Sequence, residues 1–192
     1  MSFYQIFSKI YEKAAKKMCL ACQGFIKKGS KILDLGCGSG IVGKTFQEFF
    51  QAEIIGVDIR DYRIANIPLQ IFNGKNLPFP ERSFDVILIN FVLHHVDDPI
   101  ILLKEAKRVT RDKIIIFEDL SEGFLSKLIC KIHGSSFDRF FGNPTKTSFK
   151  SEKEWEEIFK ELGLNIIFKQ RRHNFPIKKE LFILINSKFI KR

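Results

Sequence analysis

The chain lacks any apolar run approaching the ~18 residues that span a bilayer as a helix, so no transmembrane segment is expected. It also lacks the uninterrupted apolar stretch of a secretory leader, because Lys9, Glu12, Lys13, Lys16 and Lys17 break up its N-terminus. Cysteine is scarce: Cys19, Cys22, Cys37 and Cys130. Cys19 and Cys22 form a lone C-x-x-C with no second pair and no suitably spaced histidine, which argues against a zinc site, and no metal is expected. The two cysteines stand three apart in a helical pattern and so share a face as small core residues. Reduced thiols suit a cytoplasmic location. There is no internal repeat, low-complexity linker or long basic block. The net charge of +10 is dispersed over pairs such as Lys27-Lys28, Arg171-Arg172, Lys178-Lys179 and Lys191-Arg192. Two explanations stand: a basic surface for nucleic acid or an anionic membrane, or a chain in which Lys and Phe are simply abundant.

What is present is a strand–helix rhythm. Phe3, Ile6, Phe7, Ile10, Tyr11, Ala14, Ala15 and Met18 recur at spacings of three and four, predicting an amphipathic helix or helix pair over residues 3–28. Gly29-Ser30 breaks it. Short apolar runs predict strands at 31–35, 53–57, 69–72, 84–90 and 113–117. Helices are predicted over 41–50, with Val42, Phe46 and Phe49 or Phe50 inward, and over 99–109, with Ile100, Leu103, Ala106 and Val109 inward. Pro99 suits a first turn. After residue 118 the rhythm changes. A helix is expected over 124–132 and a loop over 134–148. Ser151-Glu152-Lys153-Glu154 reads as a capping box, and Gly163 stops the helix it opens. Strands at 164–169 and 180–186 are expected as an antiparallel pair at a sheet edge. Such alternation predicts a parallel α/β sheet with helices on both faces, in one domain over 1–192. Ligands of such sheets bind beyond the carboxyl ends of the strands.

The first strand ends at Asp34 and runs into Gly36, Gly38 and Gly40 ahead of a helix. Glycines permit positive φ and close approach of backbone to ligand, and the helix start offers free N–H groups. The spacing is G-x-G-x-G with Ile41 following, so the dinucleotide pattern G-x-G-x-x-G fails. Asp58 ends the second strand, where a carboxylate can accept both hydroxyls of a ribose. Together the two elements predict a nucleoside-type ligand.

Ile32-Leu33-Asp34-Leu35-Gly36-Cys37-Gly38-Ser39-Gly40 resembles the first motif of class I S-adenosylmethionine (SAM)-dependent methyltransferases, and Val57-Asp58 resembles their acidic second motif. The stretch Asn76-Leu77-Pro78-Phe79-Pro80-Glu81-Arg82-Ser83-Phe84-Asp85, with Asn90-Phe91-Val92-Leu93-His94-His95-Val96-Asp97-Asp98-Pro99, is similar to that of the methyltransferase type 11 group. The resemblance covers about residues 28–118 and implies a Rossmann-like, seven-stranded, mostly parallel sheet flanked by helices. It implies SAM as cofactor and S-adenosylhomocysteine as product. By the same resemblance Gly36, Cys37 and Gly38 run along the methionine part, Asp34 supports the loop, and Gly40 completes it. Asp58 takes the ribose hydroxyls and Ile59 flanks the adenine. Asn73 and Gly74 stand where the family has Asp-Ala beside the adenine, and Asn90 and Phe91 lie beside the sulfonium. Residues 1–28 form a helical cap, with Tyr4 or Tyr11 near the cofactor carboxylate, and 119–150 a substrate-side insertion.

Two departures stand out. Only residues 59–68 separate the second and third strands, too few for the usual helix, so a more open adenine face is expected. Thr110-Arg111-Asp112-Lys113 replaces the usual glycine turn before the fifth strand and is expected to turn on Asp112. SAM carries its own leaving group, so a base is needed only where the acceptor loses a proton. The candidates are Glu118, Asp119 and His95, with His133 and His173 further off. Phe124, Leu125, Leu128, Phe137, Phe140 and Phe141 form either an apolar lid over a small or lipid-like acceptor or ordinary packing. An RNA methyltransferase and a non-catalytic SAM-fold scaffold are the alternatives. No Asn-Pro-Pro-Tyr-type tetrad follows the fourth strand, and a nicotinamide enzyme is disfavoured by the glycine spacing. Monomer and dimer both remain open.

Overall fold

A computed structural model of the chain describes residues 3–121, 148–173 and 178–187. The strands are β1 (Lys31–Leu35), β2 (Glu53–Asp58), β3 (Leu69–Ile71), β4 (Phe84–Asn90), β5 (Thr110–Leu120), β6 (Leu164–His173) and β7 (Lys178–Asn186). They form a seven-stranded sheet in the order β3-β2-β1-β4-β5-β7-β6. The described helices are α1 (Phe3–Ile6), α2 (Ser8–Cys22), α3 (Ile41–Phe50), α4 (Pro99–Val109) and α5 (Glu152–Glu161), with a 3-10 turn at Leu93–His95. The chain divides into two compact units, residues 1–88 with 109–111, and residues 89–108 with 112–192.

In the first unit β1 pairs in parallel with β2, and β2 with β3. Ile32, Leu33, Asp34 and Leu35 are all buried, the continuous pattern of a strand covered on both faces. The register sets Asp34 against Gly56. Gly43 of α3 and Gly56 of β2 allow the helix to lie close on the sheet. A Cβ on Gly43 would come 2.7 Å from Asp34 Oδ2, and one on Gly56 would come 2.8 Å from Cys37 Sγ. Neither contact leaves room for a methyl group. Gly56→Ala is therefore expected to destabilise the fold by about 1–3 kcal/mol, as overpacking does, read as a lower denaturant midpoint. An unchanged midpoint would show that Cys37 swings aside freely.

Among the described residues, the N-terminal helix pair buries only the Ala15 and Met18 part of its apolar stripe, together with the two cysteines expected in the core. Ala15, Met18, Cys19 and Cys22 are buried and α2 packs on α3, whereas Ile6, Phe7 and Ile10 are exposed. The face of α2 that meets α3 carries alanine, methionine and two cysteines rather than isoleucine or phenylalanine. In α3 the buried aromatic residues are Phe46 and Phe50, with Phe49 outward. In α4 Leu102 joins Leu103, Ala106 and Val109, while Ile100 is half-buried.

In the second unit β7 pairs antiparallel with both β5 and β6. All three strands run longer than their apolar segments. The polar residues Lys169, Gln170 and Arg171 are strand because they ladder against Phe182, Leu181 and Glu180. Arg171 bonds the Glu180 carboxylate at 3.1 Å, and Lys169 and Arg171 both reach Glu152. The expected turn at Thr110–Lys113 is absent, since α4 passes directly into β5. Within the first unit Arg111 explains this: it donates to the Ser83 carbonyl at 3.0 Å and pairs with Asp85 at 3.2 Å, which fixes the start of the strand. The capping box forms as expected: Ser151 Oγ accepts the Glu154 N–H and the Glu154 carboxylate accepts the Ser151 N–H at 2.7 Å. Gly163, at φ 62°, follows the helix.

The helix expected over 124–132, all but Ser148 of the loop expected over 134–148, Cys130, His133 and the aromatic residues Phe137, Phe140 and Phe141 lie outside the described residues, as does the side chain of His173. No helix among the described residues is long and apolar enough to cross a membrane. Among the described residues no group of three or more His, Cys, Asp or Glu is placed to hold a metal ion.

Candidate functional site

The loop from Asp34 to Gly40 joins β1 to α3. Gly36, Gly38 and Gly40 have φ of 72°, 48° and 73°, a region that side chains with a Cβ rarely adopt. The loop hangs from the end of β2. The N–H groups of Gly36 and Cys37 donate to the Val57 carbonyl at 2.8 and 3.2 Å, and the Gly38 N–H donates to Asp58 Oδ2 at 2.8 Å. Gly40 N–H closes the turn on the Cys37 carbonyl at 2.8 Å. Asp34 is buried beneath α3, and the Cys37 thiol points inward at Gly56, so neither side chain lies on the outer face of the loop. Burial pushes the Cys37 thiol pKa well up, and Asp34 and Asp58 add to it.

Asp58 holds the loop through one oxygen and caps its own strand end through the other, since Oδ1 accepts the Ile59 N–H at 2.7 Å. Burial raises its pKa above the usual carboxylate value, although N–H bonds from Gly38, Ile59 and Arg60 oppose the rise. A carboxylate offers about four acceptor positions. The N–H groups of Gly38, Ile59 and Arg60 engage three, which leaves room for one further donor.

Two other segments of the first unit meet this loop, α1 and residues 59–68. The hydroxyl of Tyr4 comes 3.5 Å from where a Cβ on Gly38 would stand. Its ring packs edge-on against Tyr11 at 5.7 Å, and burial holds its hydroxyl protonated as a hydrogen-bond donor. Residues 59–68 form no helix; instead the N–H groups of Ile64 and Ala65 both donate to the Ser39 carbonyl, at 3.0 and 3.1 Å. Ile67 is buried against the positions of Gly40, Gly43 and Gly56. Ile59 remains 42% exposed, an open apolar surface, and the Cβ position of Gly74 lies 3.5 Å from it. Asn73 is hydrogen-bonded within its own turn. Its Oδ1 already takes the N–H groups of Lys75 and Asn76 at 2.9 and 2.8 Å, so the amide has only donors left to offer a ligand.

The remaining candidates lie in the second unit. Asn90 ends β4, and Phe91 follows at φ 55°, an uncommon conformation for a bulky residue, with its N–H bonded to the Phe117 carbonyl at 2.8 Å. Lys179 of β7 stands 4.4 Å over the Phe91 ring and 3.6 Å from Asp119 Oδ1. Glu118 is fully buried. Its Oε2 accepts the Leu93 N–H at 3.0 Å, its Oε1 accepts the Asp119 N–H at 2.8 Å, and it pairs with His94 Nδ1. His95 is half-buried, its ring 4.0 Å from that of His94.

Asp34, Gly36, Cys37, Gly38, Gly40, Asp58 and Ile59 thus gather at one strand-end loop. Glu118 and Asp119 divide between separate partners, His94 and Lys179. Lys179 and Phe149, which stacks on His94, had no local signal in the sequence. They arrive only through the β5–β7 register and the return of the chain at residue 148.

The chain matches a methyltransferase-domain family over residues 7–168. An uncharacterized methyltransferase of Schizosaccharomyces pombe is 31% identical over 106 residues, 45% of this chain and only 38% of that protein. The demethylmenaquinone methyltransferase of Staphylococcus saprophyticus is 30% identical over 183 residues, 84% of this chain and 70% of that protein. The solved structure of a SAM-dependent methyltransferase from Methanosarcina mazei superposes with a TM-score of 0.67 at 18% identity, covering 86% of this chain and 96% of the other.

Proposed function

The chain belongs to the methyltransferase-domain family and is a class I SAM-dependent methyltransferase of the type 11 kind, and from that premise we propose that its acceptor is a small or lipid-like molecule. The residues present fit SAM. Three glycines at positive φ form a loop free of side chains on its outer face, and Asp58 beside it keeps acceptor capacity for a ribose. That arrangement carries the reading. SAM supplies an activated methyl group on a positively charged sulfur. The protein must then orient the acceptor in line and exclude water, which by itself supplies a large part of the rate.

In this reading Gly36, Cys37 and Gly38 follow the methionine portion, Asp58 holds the ribose, and Ile59 and Gly74 offer a surface to the adenine. Asn73 contributes through its amide N–H. Asn90 and Phe91 are assigned to the cofactor on the resemblance of their motif. Asp119 and His95 are the groups proposed to take a proton from the acceptor, and Glu118 acts through His94 as a positioning residue. Residues 1–28 serve as the cap of a single-domain enzyme, and the segment 119–150 selects the acceptor. The relatives named as demethylmenaquinone methyltransferases support an acceptor of small-molecule type.

Titration calorimetry with SAM, S-adenosylhomocysteine and NAD tests the cofactor site. Binding of SAM and S-adenosylhomocysteine is expected, with none of NAD. Tight NAD binding without SAM binding would overturn the assignment of the glycine loop.

A further inference from the structure

The three most exposed large apolar residues among those described lie on the N-terminal helices: Ile10 at 66%, with Ile6 and Leu20 each at 60%. Along α2 the residues Ile10, Lys13, Lys17 and Leu20 follow one another at three- and four-residue steps, and Ile6 stands one turn earlier. Residues so spaced share one face of a helix. Lys9 and Lys16 flank that face and are exposed. The opposite face holds Ala15, Met18, Cys19 and Cys22, all buried. The helix pair is therefore apolar twice over: small residues toward the protein, and isoleucine and leucine interleaved with lysine toward solvent. Glu12 is the one acidic residue of α2 against four lysines.

We propose that this outward face of α1 and α2 is a docking surface for an anionic lipid bilayer. The residue types select this occupant. A protein partner would ask for an interface centre depleted in lysine, whereas here lysine alternates with the apolar residues. Nucleic acid would use the lysines but gains little from isoleucine and leucine, which cannot stack on bases. A membrane surface uses both. Ile6, Ile10 and Leu20 enter the headgroup boundary, and Lys9, Lys13, Lys16 and Lys17 lay their aliphatic stems along it with their charges on anionic headgroups. The same short helix α1 carries Ile6 outward and Tyr4 inward onto Gly38, so docking places the glycine loop close to the bilayer surface. The inference concerns the helix face and does not depend on the identity of the acceptor.

Flotation of the full chain with vesicles is the test, using pure phosphatidylcholine against phosphatidylcholine with phosphatidylglycerol. The wild type is expected to float with the anionic vesicles and not with the neutral ones, and to lose binding as salt rises. Ile6→Ser with Ile10→Ser should weaken that binding about tenfold or more, and Lys13→Glu with Lys16→Glu by a similar factor. These side chains are exposed, so the thermal midpoint and SAM affinity should stay at wild-type values, separating this proposal from the cofactor assignment. Absence of wild-type flotation with anionic vesicles would overturn the proposal. So would flotation indifferent to both double variants, loss of a dimer in light scattering as the sole effect of the isoleucine changes, or salt-sensitive RNA binding lost only with the lysines.

Discussion

Asp58→Ala is expected to weaken SAM binding by about one to two orders of magnitude. A hydrogen bond to a charged acceptor contributes ~1.5–3 kcal/mol, so one ribose hydroxyl on the remaining position amounts to about ten- to a hundredfold in affinity. The structure adds a second loss. Asp58 also accepts the Gly38 N–H, so its removal frees the glycine loop from the end of β2 at that point. Asp58→Asn should be milder, because one side-chain oxygen remains, yet its amide N–H₂ must face either the Gly38 or the Ile59 N–H, where the carboxylate accepted both. Calorimetry with S-adenosylhomocysteine, alongside circular dichroism to establish that each variant is folded, measures the effect. A folded Asp58→Ala protein that binds within about threefold of wild type would remove Asp58 from the ribose site.

The double role of Asp58 marks how far the sequence could be read. A carboxylate at a strand end some residues after a glycine loop is visible as spacing. That it also suspends the loop is a three-dimensional fact, since β2 lies beside β1 only after the sheet forms. The strands β1, β2 and β4, and the capping box of α5, were legible because apolar runs and local hydrogen-bond chemistry act over a few residues. β6 was legible only in its apolar half, because the rest is strand by virtue of what it pairs with. The N-terminal helices and the core placement of Cys19 and Cys22 were legible, but the apolar stripe does not show that Ile6, Phe7 and Ile10 lie outward. Spacing identifies a stripe; which part of it is buried depends on α3, against which α2 packs. Glu118 and Asp119 are adjacent candidates in the sequence, although neighbouring residues of a strand point to opposite faces. That alternation sends one to His94 and the other toward Lys179.

Glu118→Ala is expected to cost about 3–5 kcal/mol of stability, a large part of the ~5–15 kcal/mol that holds a domain of this kind together. Both members of the His94–Glu118 pair are buried, at 2% and 0% exposure, so removing one leaves the other's charge without compensation. The alanine variant also leaves the Leu93 and Asp119 N–H groups without their carboxylate acceptor. His94 stacks on Phe149 with ring centroids 4.5 Å apart, and its carbonyl accepts the Ser148 N–H at 2.9 Å, so the pair ties the 3-10 turn to the returning chain. Burial opposes charge on His94, but the Glu118 carboxylate and its hydrogen bond, with Asp119 beyond, outweigh both burial and the nearby Lys179, and its pKa lies above the ordinary histidine value. A group raised in this way stabilises the fold fully below its unfolded pKa of ~6.5, and the contribution fades as pH rises through the folded value. Denaturant unfolding across pH should therefore show stability falling above ~6.5, and His94→Phe should flatten that slope while keeping the stack on Phe149. Methyl-transfer kinetics then separate support from chemistry. If Glu118 acts only through His94, Glu118→Gln should retain a measurable kcat once folded, and Asp119→Asn should be the more damaging change. A pH-independent unfolding free energy in the wild type, or a Glu118→Ala protein of wild-type stability, would show that this buried pair does not hold the turn.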